Sequence, residues 1–173
     1  MEPDQSAPKV RLEVGNVRPA TDSDASGLIA LIGSCFDEYE GCVLDTQVEM
    51  AHLHRISTHY TELNGFVWVA ESNERIVGSV ACRPRSESAS LELQMLYVDA
   101  TQRRRGLGTA FIVLVEARAR DRGIEEVELW SDTRFLEAHR LYRSLGYERL
   151  EETRELHDLS DTVEYHFRKR IFP

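Results

Sequence analysis

The chemistry best supported by residue type and spacing lies at Arg103-Arg104-Arg105-Gly106-Leu107-Gly108-Thr109, between a strand-like run and a helix-like run. Two glycines let a backbone approach an anion closely. The free amides of a helix's first turn can donate to that anion, and the helix dipole adds to the attraction. Arg104 and Arg105 supply positive charge beside it. The spacing is not a Walker A loop, because no Gly-Lys-Ser/Thr follows. It is not GxGxxG either, because Gly108 is followed by Thr109, Ala110 and Phe111. The competing interpretation is a basic turn before a helix, with glycines that serve loop geometry alone.

Other candidates are weaker. His52, His54 and His59 invite a metal reading. On a helix, however, His52 and His59 share a face while His54 points elsewhere, and no Cys or Glu-x-x-His spacing completes a zinc set. No metal is expected. Cys35, Cys42 and Cys82 share no CxxC spacing and read as reduced thiols, and none has an evident base partner that would make it a nucleophile. The carboxylates Asp37, Glu38, Glu40, Asp45 and Glu49 would attract a cation if they wall a site. Otherwise they form a solvated acidic loop.

The elements that position these residues follow from hydrophobic period and breakers. Residues 1–8 read as a loose tail, and 9–173 as a single domain without repeats or linkers. A short strand over Val10–Val17 leads to a helix through Ala25, Leu28, Ile29, Leu31 and Ile32, with Thr21 or Asp22 as cap. A second helix is expected over Gln47–Tyr60. Phe66–Ala70 and Ile76–Ala81 form a hairpin about Ser72-Asn73-Glu74. Leu91–Val98 is a strand whose period of two puts Leu91, Leu93 and Met95 on one face and Glu92 and Gln94 on the other. A helix then runs from about Leu107 to Arg122 and stops at Gly123. A strand at Glu126–Trp130, a helix at Arg134–Leu145 stopped by Gly146, and strands at Tyr147–Glu151 and Thr162–Arg168 complete the chain.

At 173 residues, with 29% charged and 42% apolar side chains, the chain can bury a core without disulfides or metals. A net charge of −9 argues against broad nucleic-acid binding. No apolar run approaches the ~18 residues that cross a bilayer, and the N-terminus has neither a basic nor an apolar signal region. Neither nucleic acid nor membrane is therefore an expected partner, and a cytoplasmic setting is expected for the thiols.

Taken together, these segments resemble the Gcn5-related N-acetyltransferase superfamily. Its signature, Gln/Arg-x-x-Gly-x-Gly/Ala, is matched by Arg103, Gly106 and Gly108. Leu96-Tyr97-Val98 resembles its usual strand end, and Arg18-Pro19-Ala20 its common opening. Ala138-His139-Arg140-Leu141-Tyr142-Arg143-Ser144-Leu145-Gly146-Tyr147 is similar to its closing A-x-x-L-Y-x-x-x-G-F motif.

The resemblance implies that the amides from Arg104 to Thr109, Leu107 included, hold the pyrophosphate of acetyl-CoA, while Arg103 matches the signature's first position. It also implies that the backbone at Leu96, Tyr97 and Val98 pairs with the pantetheine arm, beside a bulge that splays the sheet. Tyr142 matches the tyrosine that protonates the departing thiolate in many relatives; its plain reading is packing with Ala138, Leu141 and Leu145. Glu92, eleven residues before Arg103, matches the general base of some members; its plain reading is an exposed strand residue. Phe135 stands where relatives often have a pantetheine-binding Asn, so that contact would become apolar. His139 reads as an exposed neighbour on the same helix.

The fold expected is therefore α/β: a GNAT-like mixed, mostly antiparallel central sheet of about seven strands with helices on both faces. The function expected is transfer of an acetyl group from acetyl-CoA to a primary amine, on a small molecule or a peptide, with a cationic acceptor suggested by the acidic run. A catalytically idle acyl-CoA sensor on the same fold is the alternative. The acceptor's identity and the oligomeric state, a homodimer included, are open from sequence.

Overall fold

The β-branched and aromatic runs of the chain become the centre of one sheet. The computed structural model describes residues 11–12 and 15–172, so the tail read at residues 1–8 lies outside the described residues. The strands are β1 (Arg11–Leu12), β2 (Gly15–Pro19), β3 (Phe66–Ser72), β4 (Arg75–Arg85), β5 (Ser90–Val98), β6 (Glu126–Asp132), β7 (Glu148–Glu155) and β8 (Val163–Arg170). They lie in the order β1-β2-β3-β4-β5-β6-β8-β7. Only β5 and β6 run parallel; every other neighbouring pair is antiparallel. The helices are α1 (Ala25–Phe36), α2 (Ile56–Glu62), α3 (Leu107–Asp121) and α4 (Leu136–Ser144). The expected mixed sheet with helices on both faces is the architecture observed, with β1 as a two-residue addition at one edge.

Alternation along the strands sorts the core into two layers. Trp68, Ala70, Val80, Leu91, Leu93, Val127 and Leu129 meet Leu107, Phe111, Ile112 and Val115 of α3 and Tyr142 of α4. Val67, Val69 and Ala81 meet Leu28 and Ile32 of α1 and Ile56 and Tyr60 of α2 on the opposite face. Each fully buried Leu, Ile or Phe contributes roughly 1.5–3 kcal/mol relative to exposure. On α3, Leu107, Phe111, Val115 and Ala119 recur every fourth residue, and all four are buried. The helix ends where Gly123 takes φ +67° and the Ile124 amide donates to the Ala119 carbonyl at 2.9 Å.

Two local expectations need correction. The helix expected over Gln47–Tyr60 forms only from Ile56 onward, preceded by turns and a 3₁₀ segment at Ala51–Arg55. Its beginning is drawn into a turn by Asp45, whose carboxylate accepts from the Gln47 and Val48 amides at 2.8 and 3.1 Å.

Met95 also leaves the face assigned to it. It adopts φ +55°, and the β4–β5 register slips between Ser79 and Ala81. Met95 therefore packs with the α1/α2 layer, opposite Leu91 and Leu93, while Leu96 and Val98 join the α3 layer. A bulge adds one residue to a strand and inverts the alternation after it. The Ser79 hydroxyl donates to the Met95 carbonyl at 2.8 Å and fixes this one.

The bulge has a second effect. β5 pairs with β6 only at Leu91–Val127, Glu92–Glu128 and Leu93–Leu129. Beyond Leu93 the two parallel strands separate, and the β6-facing edge of Leu96–Val98 is left unpaired in the middle of the sheet.

Candidate active site

The gap between β5 and β6 opens onto the start of α3. After β5, the Asp99 carboxylate accepts from the Thr101 amide at 2.9 Å and starts a single 3₁₀ turn over Ala100–Gln102. Arg104 at φ +60° and Gly106 at φ +86° then turn the chain into α3. The Ala110 amide donates to the Gly106 carbonyl at 2.9 Å as the helix's first bond. The amides of Leu107, Gly108 and Thr109 consequently have no partner within the helix. Gly108 is held at close quarters, since a Cβ placed there would lie 2.9 Å from Leu141 Cδ2 on α4.

These groups face a cleft of about 620 Å³. Leu96, Tyr97, Val98, Arg103, Arg104, Gly106, Gly108 and Thr109 line one side, and Phe135, Ala138 and Leu141 line the other. Two members of the signature loop do not line it: the Leu107 side chain is buried in the core, and Arg105 is exposed. Cys35 and Tyr39, which sequence reasoning did not single out for this cleft, also line it. Phe135 caps α4 and packs against Tyr39 with ring centroids 4.8 Å apart. Burial pushes the Cys35 thiol above its ordinary value, against the nearby Arg103 guanidinium.

A second cavity, of about 280 Å³, lies on the α1/α2 side of the sheet. It shares Leu96, Tyr97 and Phe135 with the first, so the two meet at the end of the gap. Tyr142 and Ser131 sit at its inner wall, while Glu49, Asp132, Asp158 and Glu164 give it four carboxylates. Of the acidic run at 37–49, only Glu49 provides a carboxylate to this wall. Asp45 caps its own turn, and Glu38 turns to Arg103. The other three carboxylates come from the last part of the chain, where no motif marks them. Burial raises the Glu164 carboxyl above its usual range, opposed by Arg154, whose Nε donates to it at 2.5 Å.

Glu92 is neither exposed nor part of either lining. It is 2% exposed and accepts from Arg83 Nε at 2.9 Å, with Arg85 Nη1 at 3.6 Å. The solvated-edge reading fails because Glu92 lies in the paired section of β5, between β4 and β6. His139 is likewise buried, at 3% exposure, because helix spacing turns it toward β6 and β8. Tyr142 is buried with its ring 5.4 Å from that of Phe167. Burial pushes its phenol upward, while the Ser131 hydroxyl favours the ionised form.

His52 and His59 do share a face, with ring centroids 4.8 Å apart. No group of three or more metal-binding side chains occurs among the described residues, and no described helix is long and apolar enough to cross a membrane.

The residues fit the phosphate end of a CoA thioester: stripped amides, a glycine cradle and Arg104 on one wall, with an unpaired strand edge leading inward. Comparison with known proteins agrees. Human N-acetyltransferase 8 is 36% identical over 96 residues, covering 53% of this chain and 42% of its own. Rat N-acetyltransferase 8F1 is 33% identical over 123 residues, covering 69% of this chain and 53% of its own. The chain thus matches about half the length of these curated relatives. A GNAT-family acetyltransferase from Staphylococcus aureus superposes with a TM-score of 0.78 at 19% identity, over 91% of this chain and 99% of that one. The PaiA N-acetyltransferase from Thermoplasma acidophilum, solved in complex with coenzyme A, gives 0.66 at 14% identity, over 89% and 97%. The model of the Acetyltransferase (GNAT) family matches residues 32–147, two thirds of the chain, and the chain belongs to that family.

Proposed function

We propose that this protein transfers an acetyl group from acetyl-CoA to a cationic primary amine, by direct attack in a ternary complex. The observation that carries this reading is the meeting of two cavities at Leu96, Tyr97 and Phe135, one backed by free helix amides and the other by carboxylates. The Leu107, Gly108 and Thr109 amides and Arg104 bind the pyrophosphate. The unpaired edge at Leu96–Val98 takes the amides of the pantetheine arm, and its donors polarise the thioester carbonyl. Phe135 packs on that arm instead of hydrogen-bonding it. Holding donor and acceptor end to end in this way supplies much of the rate.

Glu49 and Asp158 draw a cationic amine toward the thioester, beside Asp132 and Glu164, whose charges are met by Arg134 and Arg154. One of them must also remove a proton before attack. Of the two candidate bases, Glu164 faces the acceptor cavity and is raised toward a useful basicity by burial, whereas Glu92 is held by Arg83 away from it. Glu164 is therefore the base in this reading. Tyr142, at the inner wall of the acceptor cavity, protonates the departing sulfur. The three cysteines are free, which fits a reducing setting such as the cytoplasm.

Steady-state CoA release over a panel of primary amines, with calorimetric titration of acetyl-CoA alongside, tests the reading. Turnover with cationic acceptors supports it. Binding without turnover on any acceptor would leave the idle sensor, and no binding at millimolar acetyl-CoA would remove both.

A further inference from the structure

His166 meets two carboxylates at once, in a part of the sheet that the reaction above does not use. Its Nε2 lies 3.1 Å from Glu128 Oε2, and its Nδ1 lies 3.0 Å from Glu152 Oε2. Glu128 and His166 are buried, at 6% and 8% exposure, whereas the Glu152 side chain is largely exposed. Carboxylates accept hydrogen bonds and have none to give, so the two contacts together require a proton on each ring nitrogen. A neutral imidazole satisfies only one of them. The Ser88 and Ser90 hydroxyls donate to the other Glu128 oxygen at 2.9 and 2.7 Å, which keeps Glu128 an acceptor toward the ring.

The backbone is built around this contact. β7 and β8 are in register at Arg149–Phe167 and again at Thr153–Tyr165. Leu150, Glu151 and Glu152 therefore stand opposite His166 alone, in a bulge where the ladder is interrupted. The Glu152–His166 contact spans that interruption. Past it, β7 runs to Leu156, whose amide donates to the Thr162 carbonyl at 3.0 Å, and Leu156 and Asp158 line the acceptor cavity. Trp130, which also lines that cavity, stacks on the imidazole with ring centroids 4.3 Å apart and planes within 7°.

The other charges around the ring are matched among themselves. Arg168 on β8 is 3.8 Å from Glu126 on β6, and Arg154 on β7 binds Glu164 on β8. Glu92 on β5, in register with Glu128, is held by Arg83, with Arg85 beside it on β4. Glu128 and Glu152 are left as the pair that the ring balances.

We propose that His166 is a pH-operated clamp: as an imidazolium it ties the β7 bulge to β6 and holds the Leu156–Asp158 wall of the acceptor cavity, and on losing its Nδ1 proton to water it releases Glu152. The Nε2 contact stays, because a buried carboxylate stripped of a donor costs more than an exposed one returned to water. The attraction of the imidazolium for the Trp130 ring is lost with the same proton. Imidazole is the side chain whose charge ordinarily changes between pH 5 and 8. The clamp is thus engaged below the titration of the ring and lost as pH rises through it. Its effect on the acceptor rests on the acetyltransferase reading; the clamp itself does not.

The test follows the ring by ¹⁵N NMR and β7 by amide hydrogen exchange on the full chain, across the same pH series. Both His166 nitrogens should carry protons at the acid end. Protection factors of the hydrogen-bonded amides from Thr153 to Leu156 should fall roughly two- to fivefold with the midpoint of the ring titration, the worth of a bond with one exposed partner. In Glu152→Gln the amide can accept from Nδ1–H or donate to bare Nδ1, so the protection should no longer follow the ring. For the cationic amine turned over fastest in the panel, the ratio of wild-type to Glu152→Gln KM should rise by the same factor, and the ratio for acetyl-CoA should stay flat. Amine ionisation affects both proteins alike and cancels. Protection that ignores the ring titration in the wild type, or follows it equally in Glu152→Gln, overturns the clamp. A flat ratio for the amine overturns its link to the acceptor. No turnover on any amine would sink the acetyltransferase reading, with exchange and NMR still deciding the clamp.

Discussion

Arg103, the first residue of the signature loop, gives its two terminal nitrogens to the Glu38 carboxylate at 2.6 and 2.5 Å, just past the end of α1. Its Nε donates to the Val98 carbonyl at 3.0 Å. The guanidinium thus joins the end of β5, the loop and the α1 side of the cleft, and its charge is already matched. Arg104 has no such partner among the described residues and faces the cleft. Arg104→Gln should therefore weaken acetyl-CoA binding and flatten its salt dependence. Arg103→Gln should mainly lower the melting temperature. Calorimetry at two ionic strengths, with thermal melts, distinguishes the roles; the reverse pattern would make Arg103 the phosphate ligand.

Gly108 offers a steric test of the same site. Gly108→Glu should abolish acetyl-CoA binding by filling the approach to the amides and repelling phosphate. Gly108→Ala should weaken it less, because only Leu141 Cδ2 at 2.9 Å must move. In the wild type, acetyl-CoA at a hundredfold excess over its Kd should add about 2.7 kcal/mol of stability. A melting temperature unmoved by millimolar ligand would refute the site.

Glu164→Gln should lower kcat by roughly 10²–10⁴-fold, as loss of a general base does. Because the Glu164 carboxyl is raised, wild-type activity should climb as pH rises through its value, and the mutant should lose that limb. The deficit should shrink at high pH, where more acceptor amine is already neutral. Glu92→Gln should instead lower the melting temperature by weakening the Arg83 pairing and keep turnover within a few-fold. If the pH–rate profiles of the two variants are exchanged, the base is Glu92.

Acceptor charge has its own readout. With the Glu49 and Asp158 carboxylates in the cavity, the acceptor's KM should rise with salt, since screening shortens the reach of the attraction. Asp158→Asn should raise that KM and leave the KM for acetyl-CoA alone. A panel active only on neutral or anionic acceptors contradicts the cationic assignment.

Asp24 makes a prediction about stability. Its carboxylate accepts from Arg18 at 2.8 and 2.9 Å and from the Thr21 amide at 2.8 Å. The Arg18 hydrogen bond holds its carboxyl below the usual range. A lowered folded-state value means the stabilisation is fully present above the unfolded value and is lost as pH falls through the folded one. Asp24→Asn should cost about 1.5–3 kcal/mol near neutrality. The two proteins should converge in denaturant melts as pH falls through the lowered folded-state value. A constant difference down to that pH would exclude the linkage.

What the sequence determined by itself was local. Gly106 and Gly108 at the head of the periodic run Leu107–Ala119 are enough to specify a glycine turn into a helix start, because backbone freedom and helix capping act within a few residues. The strands and their order of appearance were legible for the same reason, as was the inward face of Tyr142. The tertiary structure decided whatever depends on what lies opposite. The Met95 bulge is invisible in a period-two reading, since it takes the β4 register and the Ser79 hydroxyl to fix it, and it inverted the faces that follow. Glu92 looks solvated along its own strand and is buried only because β4 and β6 flank it. The cavity carboxylates Asp132, Asp158 and Glu164 share no motif with Glu49. They meet it because the late strands fold back beside β6, and attraction across a cavity depends on distance in space rather than along the chain.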